Sequence, residues 1–586
     1  MSFFAELKRR NVLRAAVLYV GAVWALAQGI SQLSPALDLP EWATRWFLIA
    51  AAIGFPFAMA FSWFYEWTAH GLVRESEVTP GESTTRQTGR KLDRAIIGVL
   101  MAAVALLASG YFVRRDAPAA SAPESVAVLP FSNDSGDAGQ QYFSDGLSED
   151  LINSLSQFQG LKVISRNSAF QFRNATDSSA VIGRKLGVAH LLEGSVQRLG
   201  EKVRINATLV NAADGSVVWS QQYDRPYADL FALQDEITQS VSSALQTRLL
   251  ARYAAAQSER PPGGNLQAWQ AYQQGKVLDA RVTQADARNA IAAYADATRI
   301  DPNYAAAYAQ ESVTWSWLSG TYLAGEAQQR GYAQARAAAD KALALAPDLA
   351  LAHVARGRQL LFADFDWTGA QAEYERAAKL APNDAAVLID LSLVYAALGH
   401  VQSAAAATRK ALLADPYNAT GYNWLSRQLA GLGQLDAAQQ ASAKAIELQP
   451  RADWYHERPT VLAILRGDAS AALAAAQQEP APNWQRIELA LATQIGVDRT
   501  TADAALQTLI DNDRDNAPYQ IAEVYALRGD ADNTFLWLDR AWNVRDPGIQ
   551  FLLYDPLILR FRADPRFAAF CSKVGLPTTT DAVAMK

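Results

Sequence analysis

The sequence predicts a mixed fold in three parts: N-terminal transmembrane helices, a small α/β domain and a C-terminal all-α solenoid. Three observations predict it. Three uncharged apolar runs fall in the first 115 residues, strand-like and helix-like patterns alternate to about residue 250, and a period near 34 residues governs much of the rest. The 586 residues suffice for several cores. Half of them are hydrophobic and 19% charged, which excludes wholesale disorder. A net charge of −6 leaves no basic footprint for nucleic acid. Cys571 stands alone, so neither an intramolecular disulfide nor a cysteine metal site can form. The histidines (His70, His190, His353, His400, His456) supply no pair on adjacent turns of one helix, so no zinc signature exists. No metal and no cofactor are expected.

The membrane module is expected over residues 1–115, with spans at about 15–33, 46–65 and 95–113. Each run approaches the ~20 apolar residues that cross a bilayer as a helix. Trp42, Trp46, Trp63, Tyr65 and Trp67 cluster at the edges of the second run, where aromatic rings prefer the headgroup layer. The other reading of the first run is a cleavable signal peptide, since basic residues precede it and Ala25-Leu26-Ala27 resembles a cleavage site. Its length and the two spans behind it favour an anchor. Lys8, Arg9, Arg10 and Arg14 precede the first span, and Arg74, Arg86, Arg90, Lys91 and Arg94 separate the second from the third. The positive-inside rule then puts the N-terminus in the cytoplasm and everything after Val113 on the far side, against the mild opposition of Arg114 and Arg115.

Residues 116–125 (DAPAASAPES) have linker composition. From 126 to 250 the pattern is that of a compact α/β domain. Val126–Phe131 and Leu161–Ser165 read as strands, and Ser179–Leu186 as a helix stopped by Gly187. Val188–Leu199, Lys202–Ala212 and Val217–Tyr223 read as further strands, with a turn at Asp214-Gly215 and a helix over about 228–249. The ordered segments VAVLPFSNDSGDAGQQYFSDGLSEDL, LLEGSVQRLGEKVRINATLVNAADGSVVWSQQYDR and DLFALQDEI resemble the FlgO-type domain related to the N-terminal domain of TolB. That resemblance implies a bacterial protein, a domain found beside cyclase, winged-helix or kinase modules, and no catalytic residues to carry over. Asp145, Glu149 and Asp150 could suggest an acid/base or metal site, but acids in the first turn of a helix complement its dipole, and that reading is preferred.

Between 265 and 450 a motif recurs: Ala290, Tyr294, Ala297, Pro302; Ala335, Ala339, Ala342, Pro347; Ala370, Tyr374, Ala377, Pro382; Ala404, Thr408, Ala411, Pro416; Ala438, Ser442, Ala445, Pro450. The last four prolines recur every 34 or 35 residues. Small alanines let paired helices approach, and proline stops the second helix before the next pair begins. Gly399 and Gly433 fall at turns within the pairs, and Leu391 and Leu425 take the leucine position of the first helix. This pattern resembles tetratricopeptide repeats (TPRs). Residues 451–577 are read as degenerate copies, with WLDRAWNVRDPGIQFLLYDPLILRFRADPRFAAF as a C-terminal cap.

The resemblance implies a concave groove lined by the first helix of each pair. Residues four apart share a helical face, which nominates Val354, Arg358, Ile389, Leu393, Asn423 and Arg427 as a candidate peptide groove. Its two guanidinium groups suit an acidic segment, or are simply solvated. No phosphate loop, nucleophile elbow or cyclase-like block occurs, so no enzyme is expected. The expected function is an inner-membrane-anchored scaffold presenting a TPR array to a protein or peptide in the periplasm, held to the lipid bilayer by its N-terminal helices. The alternative is a transmembrane regulatory receptor related to TPR-containing cyclases or transcription regulators but lacking their effector domain. Oligomeric state stays open.

Overall fold

The computed structural model describes residues 124–245, 248–249 and 259–584 apart from 282, 324 and 453, together with scattered residues between 16 and 74. The chain divides into two compact units, residues 1–122 and 123–586.

In the first unit residues 49–57 are helical, as are the described residues between 16 and 27. The Tyr19 hydroxyl donates to the Ala51 carbonyl at 2.8 Å, and its ring meets Phe55 edge-on at 5.6 Å. Gly54 permits the approach, since a Cβ there would lie 2.8 Å from the Tyr19 hydroxyl. Val20, Trp24, Ile49, Ile53 and Phe57 are exposed. The second expected span (46–65) ends differently from its prediction: Tyr65 belongs to a strand, β1 (Tyr65–Thr68), antiparallel to β2 (Gly71–Arg74). The span expected at 95–113 and most of that at 15–33 lie outside the described residues. Among the described residues no helix is long and apolar enough to cross a membrane.

The second unit begins with a mixed sheet of order β6-β3-β7-β8-β9. Its strands are β3 (Ser125–Val128), β6 (Lys162–Val163), β7 (His190–Leu199), β8 (Lys202–Asn211) and β9 (Val217–Pro226). Short β4 (Ser132–Asn133) also pairs with β7. β3 runs parallel to β6 and β7, while β7, β8 and β9 form an antiparallel meander. Central β3 is buried throughout, whereas β8 alternates, burying Val203, Ile205, Ala207 and Leu209. Helices α1 (Gln141–Ser156), α2 (Arg166–Ala169), α3 (Ser179–Leu186) and α4 (Leu230–Ala244) complete the domain. α3 ends on Gly187 in the left-handed conformation, φ 64°. α4 stops short of the expected 249, because Arg248 and Leu249 (β10) pair with β5 (Phe158–Gln159).

Helical pairs follow without interruption: α5 (Leu266–Asp279) with α6 (Gln284–Ile300), α7 (Ala305–Tyr322) with α8 (Gly325–Leu345), and α9 (Ala350–Arg358) with α10 (Trp367–Leu380). Next come α11 (Ala385–Ala397) with α12 (Val401–Ala414), α13 (Ala419–Gly431) with α14 (Leu435–Leu448), and α15 (Glu457–Leu465) with α16 (Ala469–Ala476). Last are α17 (Pro482–Ala492) with α18 (Arg499–Asp513) and α19 (Pro518–Leu527) with α20 (Ala531–Asn543). Short 3₁₀ turns at Pro547–Phe551 and Ile558–Phe561 lead to α21 (Pro565–Lys573). The Ala, Tyr, Thr and Ser positions of the repeating motif are buried to the last atom. This is a TPR-like helical array, and the motif is its internal seam.

The array does not end in an open face. Residues of α9–α12 share one hydrophobic core with Tyr519, Leu553, Phe567, Phe570 and Leu576. The Trp367 indole donates to the Val574 carbonyl at 2.8 Å across that core. The C-terminal segment has therefore folded back onto the middle of the array.

Candidate interaction surface

From α7 onward the first helices of successive pairs pack against one another. Arg358 forks Asp390 on α11, with Nε–Oδ2 3.1 Å and Nη2–Oδ1 2.9 Å. Arg427 on α13 pairs with Glu457 on α15 at 2.6 Å, and its guanidinium carbon lies 4.1 Å from the centre of the Phe551 ring. Burial alone would push Asp390 up, and the adjacent guanidinium only partly offsets this. Both arginines thus find their acid within the chain.

The other nominated residues divide. Val354 and Leu393 enter the core shared with the C-terminal segment. Ile389 packs instead with Ala385, Leu388 and Ala411, inside the α11–α12 pair. Asn423 is fully buried with neither amide atom hydrogen-bonded among the described residues. The six positions fall on the first helices of three successive pairs, α9, α11 and α13. Val354 and Leu393, in the core shared with the C-terminal segment, and Arg427, under the Phe551 ring, are covered, and a helical-face argument cannot foresee a cover arriving from more than 120 residues away.

A charged seam surrounds that contact. Glu457 also binds Arg458, the Thr460 hydroxyl donates to Glu488 at 2.8 Å, and the Tyr519 hydroxyl donates to Asp555 at 3.1 Å. Burial pushes Glu488 up to about 9, and burial plus the neighbouring Asp555 pushes Glu523 well above the carboxylate range. Near neutral pH Glu488 is therefore protonated, which spares the seam a buried charge.

The acids of α1 correct the dipole reading. The helix begins at Gln141, four residues before Asp145, so none of the three lies in its first turn. Instead Glu149 and Asp150 join the sheet domain to the array, while Asp145 pairs within the domain. Asp145 pairs with Arg173 at 2.7 Å, and Glu149 pairs with Arg166 at 3.1 Å and Lys276 of α5 at 2.7 Å. Burial would raise Glu149, but Lys276 and Arg166 outweigh it and hold it below its ordinary value. Asp150 accepts from the Trp269 indole at 3.0 Å and from Gln234 at 2.9 Å, and burial pushes it up to about 7. A second clamp lies at the turn after α12. Ser165 N donates to Ala414 O at 2.9 Å, Tyr417 N to Ser168 Oγ at 2.8 Å, and Phe172 meets Tyr417 edge-on. Sequence reasoning missed both clamps. The only available signal was an acid-rich helix followed 119 residues later by an indole.

The sheet domain also holds a cavity of about 760 Å³ beyond the ends of β3 and β4, lined by Phe131, Asn133, Arg173, Ser178, Glu193 and Asp214 among others. Among the described residues no group of His, Cys, Asp or Glu is placed to hold a metal ion. Cys571 is buried and its thiol is pushed up to about 12, which removes it from thiolate chemistry.

Comparison with known proteins divides along the same line. A family model described as "HilA/YgeH-like transcriptional regulator, second domain" matches residues 122–240, the sheet domain, a description different from the FlgO type that the sequence resembles. A relative from Rhizobium meliloti (strain 1021) named "Putative adenylate cyclase 3" is 46% identical over 134 residues, 23% of this chain and 23% of that protein. The chain therefore matches less than a quarter of that relative's length. Among solved structures, PilW, a widely conserved type IV pilus biogenesis factor, is 20% identical with a TM-score of 0.30, covering 36% of this chain and 92% of that one. YrrB, a TPR protein with an unusual peptide-binding site, is 18% identical with a TM-score of 0.25, covering 36% and 97%.

Proposed function

We propose that this chain is a membrane-anchored, non-enzymatic scaffold whose TPR-like array holds a protein or peptide partner. One observation carries the reading: the repeating motif is wholly buried, so the array is a regular helical frame whose turns and outer faces are left to recognition. The anchor is the N-terminal unit, where Val20, Trp24, Ile49, Ile53 and Phe57 face outward as side chains against lipid do. The basic clusters at Lys8–Arg14 and Arg86–Arg94 support a cytoplasmic N-terminus in a bacterial inner membrane, with the sheet domain and array in the periplasm. Of the groove residues Val354, Arg358, Ile389, Leu393, Asn423 and Arg427, the three packed against the C-terminal segment, Val354, Leu393 and Arg427, become partner contacts only in a form whose C-terminal segment has moved away. A regulatory receptor is the second reading, favoured by the double clamp between sheet domain and array and by the partial likenesses to a cyclase and to a transcriptional regulator.

Photo-crosslinkers placed in cells at Lys410 and Gln439, on the array, and at Arg86 and Arg90, in the second basic cluster, test this. The scaffold reading expects discrete protein adducts from the array positions alone. Adducts from Arg86 or Arg90 to a cytoplasmic regulator would move the assignment to a receptor, and none from the array would overturn the scaffold. A phosphatase fused after Lys586 is expected to be active in cells; an inactive fusion would overturn the orientation.

A further inference from the structure

Most second helices of the pairs are capped by a side chain of their own. Thr283 caps α6, and α10, α16, α18 and α20 are each capped by an aspartate, Asp366, Asp468, Asp498 or Asp530; each cap accepts from a backbone N–H three residues on. α12 and α14 are not: the cap positions are His400 and Gln434, and neither side chain accepts a backbone N–H. The last described residues of the chain lie at the starts of these two helices, which belong to neighbouring pairs. Asp581 Oδ1 accepts from Val401 N at 2.7 Å and Oδ2 from Gln402 N at 3.1 Å, so α12 receives from 180 residues away the carboxylate that its own sequence withholds.

The backbone of this tail is read as well. Asp581 N donates to Gly399 O at 3.1 Å, and two residues later Val583 N donates to Gly431 O at 2.7 Å. Both turns are closed by left-handed glycines, Gly399 (φ 80°) and Gly433 (φ 72°), that lie flat against the tail. A Cβ on Gly399 would stand 2.7 Å from Thr579 O, and one on Gly433 2.9 Å from the Val583 side chain. Residues 577–584 form no helix or strand of their own; Ala582 is buried in the shared core and Val583 is 44% exposed. They lie on the array as an extended ligand lies on a receptor.

We propose that the turn edge of α11–α14 is a docking rail for an extended segment of a partner protein carrying an aspartate followed two residues later by an aliphatic side chain, and that the tail 577–584 occupies it until such a segment displaces it. The proposal rests on the scaffold reading and assigns the site through which it works. The chemistry is fixed by three features: a helix N-terminus that takes a carboxylate, two outward carbonyls that take backbone N–H groups, and a glycine floor that admits an aliphatic group.

The full chain tests it. Ala584→Cys gives a single reactive thiol for a fluorescent label, since Cys571 is buried, and the anisotropy of the label reports tail docking. Asp581→Asn in that background is expected to free the label and to let the added hexapeptide Thr-Thr-Thr-Asp-Ala-Val bind about tenfold more tightly than to the parent chain, the effect of one lost cap. The peptide with asparagine for aspartate is expected to bind about tenfold more weakly. Gly433→Ala is expected to weaken peptide binding, whereas Gly467→Ala, in the same conformation but with nothing within 4 Å of its Cβ, leaves it unchanged. Equal peptide binding by the parent and Asp581→Asn chains, or equal effects of the two glycine variants, would overturn the rail. So would a dimer in which the tail seats on a second copy. Unchanged crosslinking of a cellular partner in both the parent and the Asp581→Asn chain would sink the rail while leaving the scaffold standing.

Discussion

Asp150 is a carboxylate whose ionisation is opposed by its own burial. Arg260 and Lys276 only partly offset the lost hydration, and the group titrates at about 7 against an ordinary 3.8. The groups around it are Glu149, Glu259, Lys276 and Arg260, with neutral Trp269 and Gln234 as donors. The folded chain thus holds this proton more tightly than the unfolded one. The sign follows: the contribution is fully present below about pH 4 and is lost as pH rises through about 7, by roughly 4 kcal/mol at most. Asp150→Asn keeps an oxygen for the Trp269 indole and removes the charge. Thermal unfolding is expected to show the variant more stable than the parent at pH 8 and level with it near pH 4. An equal difference at both pH values would mean that the carboxylate does not titrate in this window. The sequence displays the acid, but not the indole that meets it or the helix start that removes it from the dipole.

The pairing of helices was legible because its chemistry is local and repeats. Ala, then Tyr or a small residue, then Ala, at fixed offsets marks one face of every second helix from α6 to α14, and each of those positions is buried. The same logic has a partner on the first helices that the motif alone does not show. Gly275 lies against the Tyr294 ring and Gly357 against the Tyr374 ring, with a Cβ at 357 falling 2.8 Å from the aromatic carbons. Gly357→Ala raises helix propensity by up to about 1 kcal/mol. It also forces Tyr374 aside in a filled core, at about 1–3 kcal/mol, and the second effect wins. A urea midpoint lower than that of the parent, with unchanged slope, is the expected result, and a rise would show that the ring yields freely. Just beyond, the chain leaves the helical period. A π-type turn at Gln359–Asp364 ends on Phe365 in the left-handed conformation (φ 55°), and a phenylalanine carries no signature for either.

At the scale of the molecule, what decides which surface is available is contact between distant parts of the chain, where periodicity carries no information. Phe551 sits between Trp424, Tyr519, Tyr554 and the Arg427 guanidinium, so one ring ties a middle pair to the C-terminal segment. Its removal strips Arg427 of a face while leaving Glu457 in place. Phe551→Ala is expected to cost about 3 kcal/mol in stability. The pattern of hydrogen exchange matters more than the size of that loss. If the fold-back is one cooperative seam, amides of α13 and of residues 547–576 lose protection together, while the sheet domain, held by Asp150 and Ser168 through other contacts, keeps its own. If the C-terminal segment is an independent cap, faster exchange stays within 547–561. The first outcome makes the groove of Val354, Arg358, Leu393 and Arg427 a surface that exists only when the array opens. The second makes it permanent core and leaves recognition to the turns.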